Sequence, residues 1–246
     1  MPPTCLIHAS LSRLLPGLCA LCGGDGPGPL CAHCSERLLL TDVSRCERCA
    51  LRLPDAATSR LCTRCTREPP AFDRTLVLAD YMPPLDRLLL ELKFRARLPL
   101  ADALGSLLAR CVITRLLTHD AEQLDSSSFV LLPVPLSAER LAERGFNQAH
   151  ELARPLATRL RLTISTGACV RVRHTDAQAS LPMAERQVNM RSAFAVLQRQ
   201  AIAGKALLVV DDVMTTGHTL AALAACLKRN GATHVTNLVI ARTPAR

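Results

Sequence analysis

The sequence predicts an α/β protein in which a mostly parallel sheet flanked by helices follows a small cysteine-rich module. Three observations carry this expectation. Apolar runs of strand length alternate with helical patterns over residues 72–241, the order that builds a parallel sheet covered on both faces. Eight of the 12 cysteines stand before Cys111 as four Cys-x-x-Cys pairs, which marks off a separate unit. Between the two, Glu68, Pro69 and Pro70 break the pattern and serve as a linker. The expected division is a module over 1–68 and a larger domain over 69–246.

Taken in order, Leu11, Leu14, Leu15 and Leu18 recur at helical spacing and predict a short amphipathic helix ahead of the first cysteine pair. From Cys19 to Cys65 the large apolar residues are scattered leucines and Val43, with no aromatic among them. Such a segment buries too little surface to fold unaided, and a metal must supply the deficit. Beyond the linker, 72–79 reads as a strand, and Leu85, Leu88, Leu89 and Leu92 line one face of a helix. A helix over 101–117, a polar turn at 125–128, a buried strand over 129–134 and a helix from about 147 follow. A strand pair over 162–172 and a strand near 194–197 come next. The clearest stretch is the last, with a strand over 206–210, a helix over 217–229 and a strand over 234–241.

Each Cys-x-x-Cys turn brings two thiolates to one ion, and two turns complete a tetrahedron. The intervals between successive pairs are 8, 11 and 12 residues, so the sequence predicts up to two structural Zn²⁺ sites in a double zinc ribbon. Adjacent pairing gives Cys19, Cys22, Cys31 and Cys34 for one ion and Cys46, Cys49, Cys62 and Cys65 for the other. A crossed arrangement, with the first and third pairs sharing an ion, stays open at this point. Four-thiolate sites leave no vacant position for chemistry. His33 reads as a bystander, and the lone Cys5, Cys111, Cys169 and Cys226 read as small apolar residues.

Lys and Arg outnumber Asp and Glu by 30 to 21, a formal charge of +9. Eight thiolates and two Zn²⁺ ions together remove four of those charges, leaving about +5. That excess suits a phosphate-bearing ligand or single-stranded nucleic acid, and equally an arginine-rich surface. No apolar run is long enough to cross a bilayer, and the first residues lack the pattern of a secretory leader. The expectation is a cytoplasmic protein without membrane insertion, whose cysteines hold metal in a reducing compartment.

The strongest signal lies between the last two strands. An apolar strand ends in Asp211 and Asp212, and Thr215-Thr216-Gly217-His218-Thr219 then opens a helix. Backbone N–H groups at such a loop and helix start suit a phosphate, Gly217 permits close approach, and Thr215, Thr216 and Thr219 offer hydroxyls. The acid pair can accept hydrogen bonds from two ribose hydroxyls. A plain strand-to-helix turn with capping threonines would leave two adjacent carboxylates as an unexplained electrostatic cost. His218 offers its backbone.

This stretch resembles the signature for 5-phosphoribosyl-1-pyrophosphate (PRPP) in type I phosphoribosyltransferases. Further motifs narrow the likeness. Pro133-Val134-Pro135-Leu136, Arg140-Leu141 and Arg144-Gly145-Phe146-Asn147-Gln148-Ala149 are similar to hallmarks of the ComF family, also called the GntX or amidophosphoribosyltransferase-like family. So are Arg173-His174-Thr175 with Gln178, Leu181, Arg186, Asn189 and Phe194, and Leu92-Lys93-Phe94 ahead of Leu100-Ala101 and Leu104-Gly105. The resemblance implies a type I phosphoribosyltransferase fold that binds PRPP with Mg²⁺ through Asp211, Asp212, Thr215, Thr216, Gly217, His218 and Thr219. It implies a diphosphate grip by Lys93, Arg140 and Arg144, and a mobile flap carrying Arg173, Gln178 and Arg186.

Two functions of different class follow. ComF resemblance implies an accessory factor of natural competence and DNA uptake, with single-stranded DNA and a competence helicase as partners. The alternative is an active phosphoribosyltransferase with an unknown acceptor. Purine-salvage members often carry an acid where Thr215 stands, which argues against that acceptor class, and Cys5 is not placed as a glutamine-amidotransferase nucleophile. Single-strand binders stack bases on aromatics. With five Phe and one Tyr in the chain, Tyr81, Phe94 and Phe146 are the candidates, provided that they are not buried.

Overall fold

The computed structural model describes residues 17–39, 43–55, 57–120, 129–172 and 193–245. The cysteine-rich part holds a short antiparallel pair, β1 (Gly17–Leu18) and β2 (Asp25–Gly26), and two helices, α1 (Ala32–Leu39) and α2 (Thr63–Arg67). The larger part begins with β3 (Arg74–Asp80), α3 (Leu85–Arg95), α4 (Pro99–Asp120) and β4 (Phe129–Pro133). It continues through α5 (Ala138–Arg144), α6 (Gln148–Leu160), β5 (Thr163–Ile164), β6 (Cys169–Arg171) and β7 (Phe194–Val196). It closes with β8 (Ala206–Met214), α7 (His218–Arg229) and β9 (His234–Arg242).

Five strands form one sheet in the order β3-β9-β8-β4-β5, and every neighbouring pair is parallel. Successive side chains on a strand face opposite ways, and the buried residues divide accordingly. Leu76, Leu78, Leu131, Leu208, Val210 and Ile240 pack with leucines of α3, α4 and α6. Their neighbours Val77, Leu132, Leu207, Val209 and Val239 pack with Leu220, Leu223 and Leu227 of α7. Each such side chain, fully buried, contributes about 1.5–3 kcal/mol. The cysteine-rich part joins both layers: Cys19 and Cys34 belong to the first core, Cys46, Cys49 and Cys65 to the second.

Gly105 shows how close α4 and α6 lie. A Cβ there would stand 2.5 Å from both the Leu152 carbonyl oxygen and Pro155 Cγ, so only glycine lets the two helices meet.

The main elements match the sequence expectation, with two differences. The pair expected over 162–172 does not form: β5 extends the main sheet beside β4, whereas β6 pairs antiparallel with β7. The helices α1, α2 and α5 had no apolar periodicity long enough to announce them. The expected leader helix falls largely outside the described residues, as does the turn at 125–128, while Leu18 sits in β1 and is 65% exposed. No helix among the described residues is long and apolar enough to cross a membrane.

Candidate functional site

The cysteines resolve into two groups, Cys19, Cys22, Cys31 and Cys34, and Cys46, Cys49, Cys62 and Cys65, with all sulfurs of a group within 4.8 Å of one another. The pairing is adjacent, not crossed. Cys22 and Cys31 sulfurs are 3.7 Å apart and those of Cys49 and Cys62 3.6 Å. Sulfurs at about 2.3 Å from a tetrahedral zinc lie about 3.8 Å from each other, so both groups fit the ion. His33 is exposed and belongs to neither group.

The second group is tied to the carboxyl ends of the strands. Asp80, at the end of β3 and 4% exposed, receives Arg45 Nη1 at 2.7 Å and also pairs with Arg52. Arg242, at the end of β9, donates to the Cys49 carbonyl at 3.0 Å.

At those same carboxyl ends, where open α/β sheets receive ligands, lies a cleft of about 310 Å³. Local chain chemistry positions its walls. β8 delivers Asp211 and Asp212, and the loop after it turns through Gly217 at φ +83°, where a Cβ would come within 2.5 Å of Met214 Cε. Ser137 caps α5, its hydroxyl accepting from the Arg140 amide at 3.4 Å. The four-residue spacing then puts Arg140 and Arg144 on one helix face. Asn147 caps α6, accepting from the Ala149 amide at 3.0 Å and donating Nδ2 to the Val134 carbonyl at 3.0 Å.

Charge in the cleft is divided. Asp211 and Asp212 form the acidic wall, while Arg140, Arg144, Arg171 and Lys93 line the remainder. Lys93 Nζ lies 3.0 Å from Asp212 Oδ2, and the Asp212 amide donates to Asp211 Oδ1 at 2.9 Å. Burial and then the Asp212 charge push the Asp211 carboxyl up to about 7, against the pull of Lys93 and Arg171. Burial and the nearby Arg140 lower the Arg171 pKa. Gln148, 2% exposed, carries a buried Nε2 with no hydrogen-bond partner, and Arg144 Nε is likewise unsatisfied. Such donors are costly to leave unmade, and both residues line the cleft.

The expected residues Asp211, Asp212, Thr215, Thr219, Lys93, Arg140 and Arg144 thus line one cleft. Thr216, Gly217 and His218 form the loop at its edge, where Arg64 donates to the Thr216 carbonyl at 3.1 Å and faces His218 Nε2 at 3.2 Å. Arg173, Gln178 and Arg186 lie outside the described residues, in the segment that β6 and β7 bracket. Sequence reasoning missed Arg171 and Gln148 as lining residues and named Tyr81 as a candidate for base stacking alone. Gln148 stands inside a quoted motif and its type alone signalled a donor; Arg171 sits on a strand of three residues and gave no signal. Of the five phenylalanines and one tyrosine, Phe94 alone is exposed, at 67%, with the Arg144 guanidinium 5.6 Å from its ring centre.

A family model described as phosphoribosyl transferase domain matches residues 141–246, and one described as double zinc ribbon domain matches 10–66. The DNA utilization protein YhgH of Escherichia coli K12 is 36% identical over 232 residues, covering 93% of this chain and 98% of that protein. The chain belongs to the ComF family. Competence protein F of Haemophilus influenzae is 28% identical over 217 residues, 87% of this chain and 91% of its own length. Competence protein ComFC of Bacillus subtilis is 36% identical over 103 residues, 42% of this chain and 40% of its own. Two structural four-thiolate zinc sites ahead of a phosphoribosyltransferase domain are therefore features of this ComF chain.

Proposed function

We propose that the cleft binds PRPP with Mg²⁺ and that the protein is a cytoplasmic accessory factor of natural competence and DNA uptake that handles single-stranded DNA. One observation carries the ligand reading: two adjacent carboxylates face a wall of guanidinium groups across a cleft with an unsatisfied buried amide donor. A sugar that offers hydroxyls at one end and phosphate oxygens at both others satisfies that pattern. Asp211 and Asp212 accept from the ribose hydroxyls. The 215–219 loop donates backbone N–H groups and threonine hydroxyls to the 5-phosphate. Arg140 and Arg144 grip the diphosphate as planar forks, and Lys93 shifts between Asp212 and the same anion as a point charge. Asp211 and Asp212 would hold Mg²⁺ alongside the ribose, and the ion would supply positive charge that offsets that of the diphosphate.

Phe94 supports the nucleic-acid half. An exposed ring with a guanidinium over it, at the rim of a cationic cleft, is a surface on which a base stacks. The names of the relatives from E. coli and H. influenzae point the same way. The second reading, an active phosphoribosyltransferase, is favoured by the guanidinium wall, which would stabilise diphosphate as a leaving group. Incubating the protein with PRPP, Mg²⁺ and either candidate bases or single-stranded DNA, while following diphosphate release and strand binding, separates them. The accessory reading expects strand binding that falls steeply with salt, weakens on Phe94→Ala, and proceeds without stoichiometric diphosphate release. Turnover with any base, or no strand binding, favours the enzyme.

A further inference from the structure

The loop at 215–217 is held by its carbonyl oxygens. Arg242, 6% exposed, donates Nη1 to the carbonyls of Met214 (3.1 Å), Thr215 and Thr243 (2.8 Å), and Nε to the Cys49 carbonyl at 3.0 Å. Arg64 stands in the Cys62-x-x-Cys65 turn and donates to the next carbonyl along, that of Thr216, at 3.1 Å. Two cations therefore fix three successive carbonyls, and each is anchored in the second zinc knuckle: Arg64 is part of it, and Arg242 is bonded to the backbone of one of its ligands.

The geometry of the peptide makes this consequential. In a planar trans peptide the carbonyl and the following N–H point in opposite directions. Holding the Thr215 and Thr216 oxygens thus orients the N–H groups of Thr216 and Gly217, which are the donors a phosphate would meet. A loop whose amides are oriented in advance loses less freedom when the ligand arrives. The first knuckle has no comparable role, since it meets α4 on the other face of the sheet through Glu36 and Arg110, paired at 2.9 Å with both side chains at least half exposed.

We propose that the second knuckle is the frame that sets the phosphate loop, so that filling the Cys46, Cys49, Cys62 and Cys65 site tightens binding of the ribose 5-phosphate end of the ligand through Arg64 and Arg242. This rests on the ribose-phosphate reading of the cleft. Arg64 and Arg242 are positioning residues, and their effect is confined to one end of the ligand. Arg140 and Arg144, which meet the other end, belong to α5.

The test is calorimetric titration of the full chain with ribose 5-phosphate and, separately, with inorganic pyrophosphate and Mg²⁺. Arg64 is exposed, so Arg64→Ala leaves the fold in place, and Arg110→Ala removes a contact of the first knuckle as a control. Arg64→Ala should weaken ribose 5-phosphate binding roughly tenfold, the equivalent of about 1.4 kcal/mol, while pyrophosphate binding and the Arg110→Ala protein stay within about twofold of wild type. Cys62→Ala, which removes a ligand of the second zinc, should repeat the loss at the sugar-phosphate end. Arg64→Ala binding ribose 5-phosphate as wild type does, or losing both ligands equally, would overturn the inference while leaving the ligand reading intact. Wild-type protein that binds neither ligand would remove the reading, and the inference with it.

Discussion

The two zinc knuckles share ligand type and the Cys-x-x-Cys turn, with 8 residues between turns in the first and 12 in the second, yet are built into the molecule differently. The first packs with α3, α4 and α6 on one face of the sheet, leaves Cys22 exposed, and adds an exposed Glu36–Arg110 pair. The second packs with α7 on the other face, buries Cys46, Cys49 and Cys65, and sends Arg45 and Arg52 to the end of β3 and Arg64 to the loop after β8. Equal metal chemistry can therefore serve unequal purposes. One knuckle covers a helical layer; the other is wired to the place where a ligand would sit.

That contrast can be broken most forcefully by removing metal. Structural zinc contributes roughly 10–16 kcal/mol of apparent folding free energy in isolated fingers, so a strong chelator should unfold the cysteine-rich part while the α/β sheet persists. The exposed Cys22 gives the chelator entry at the first site, so zinc should leave in two phases, the faster from Cys19, Cys22, Cys31 and Cys34. A metal-release assay giving one uniform phase in the wild type, or a slow phase that survives in Cys49→Ala, would erase the distinction.

Smaller changes sharpen it. Asp80→Ala strands Arg45, whose side chain is 7% exposed, and uncompensated buried charge costs about 3–5 kcal/mol. Chemical denaturation should detect that loss, and a loss below 1 kcal/mol would mean that the second knuckle is loosely attached. Asp211→Asn works in the opposite sense. Asp211 titrates at about 7 in the folded protein against an ordinary value of 3.8. Its neutral form is thus the favoured one, with no penalty below 3.8, a growing penalty between those values and the full penalty above 7. The asparagine protein should be more stable at pH 8 by on the order of 2 kcal/mol, allowing for solvent in the cleft, and no more stable at pH 3.5. Thermal unfolding at the two values checks the sign. The smallest effect belongs to Glu36→Ala, where loss of an exposed pair should cost no more than about 0.5 kcal/mol.

Much of the site was legible because its pattern is local. The run from Ala206 to Thr219 places an apolar strand, two acids, a glycine and hydroxyl residues in the order the chain uses them, and the strand continues through both acids to Met214. The four leucines of α3 announced their helix for the same reason, and all are buried. Long-range partnerships left no such trace. Arg64 and Thr216 are 152 positions apart, and Arg242 and Cys49 are 193 apart. Arginine in a zinc turn or at a strand end reads as solvated surface until the fold brings a carbonyl to it. The β6–β7 ribbon was misread because three-residue strands carry no usable alternation, and the nearer β5 looked the better partner. Zinc pairing stayed open because the intervals permit either arrangement; the two sulfur groups that folding brings together, one in each core layer, decide it.

The proposed function depends on Asp211 and Asp212 holding the ribose of PRPP. Titrating the wild-type protein and the double variant Asp211→Asn, Asp212→Asn with PRPP and Mg²⁺ in a calorimeter tests that directly. Saturable one-site binding by the wild type and none by the variant, with zinc content unchanged, is the predicted result. Undiminished affinity in the variant would contradict it.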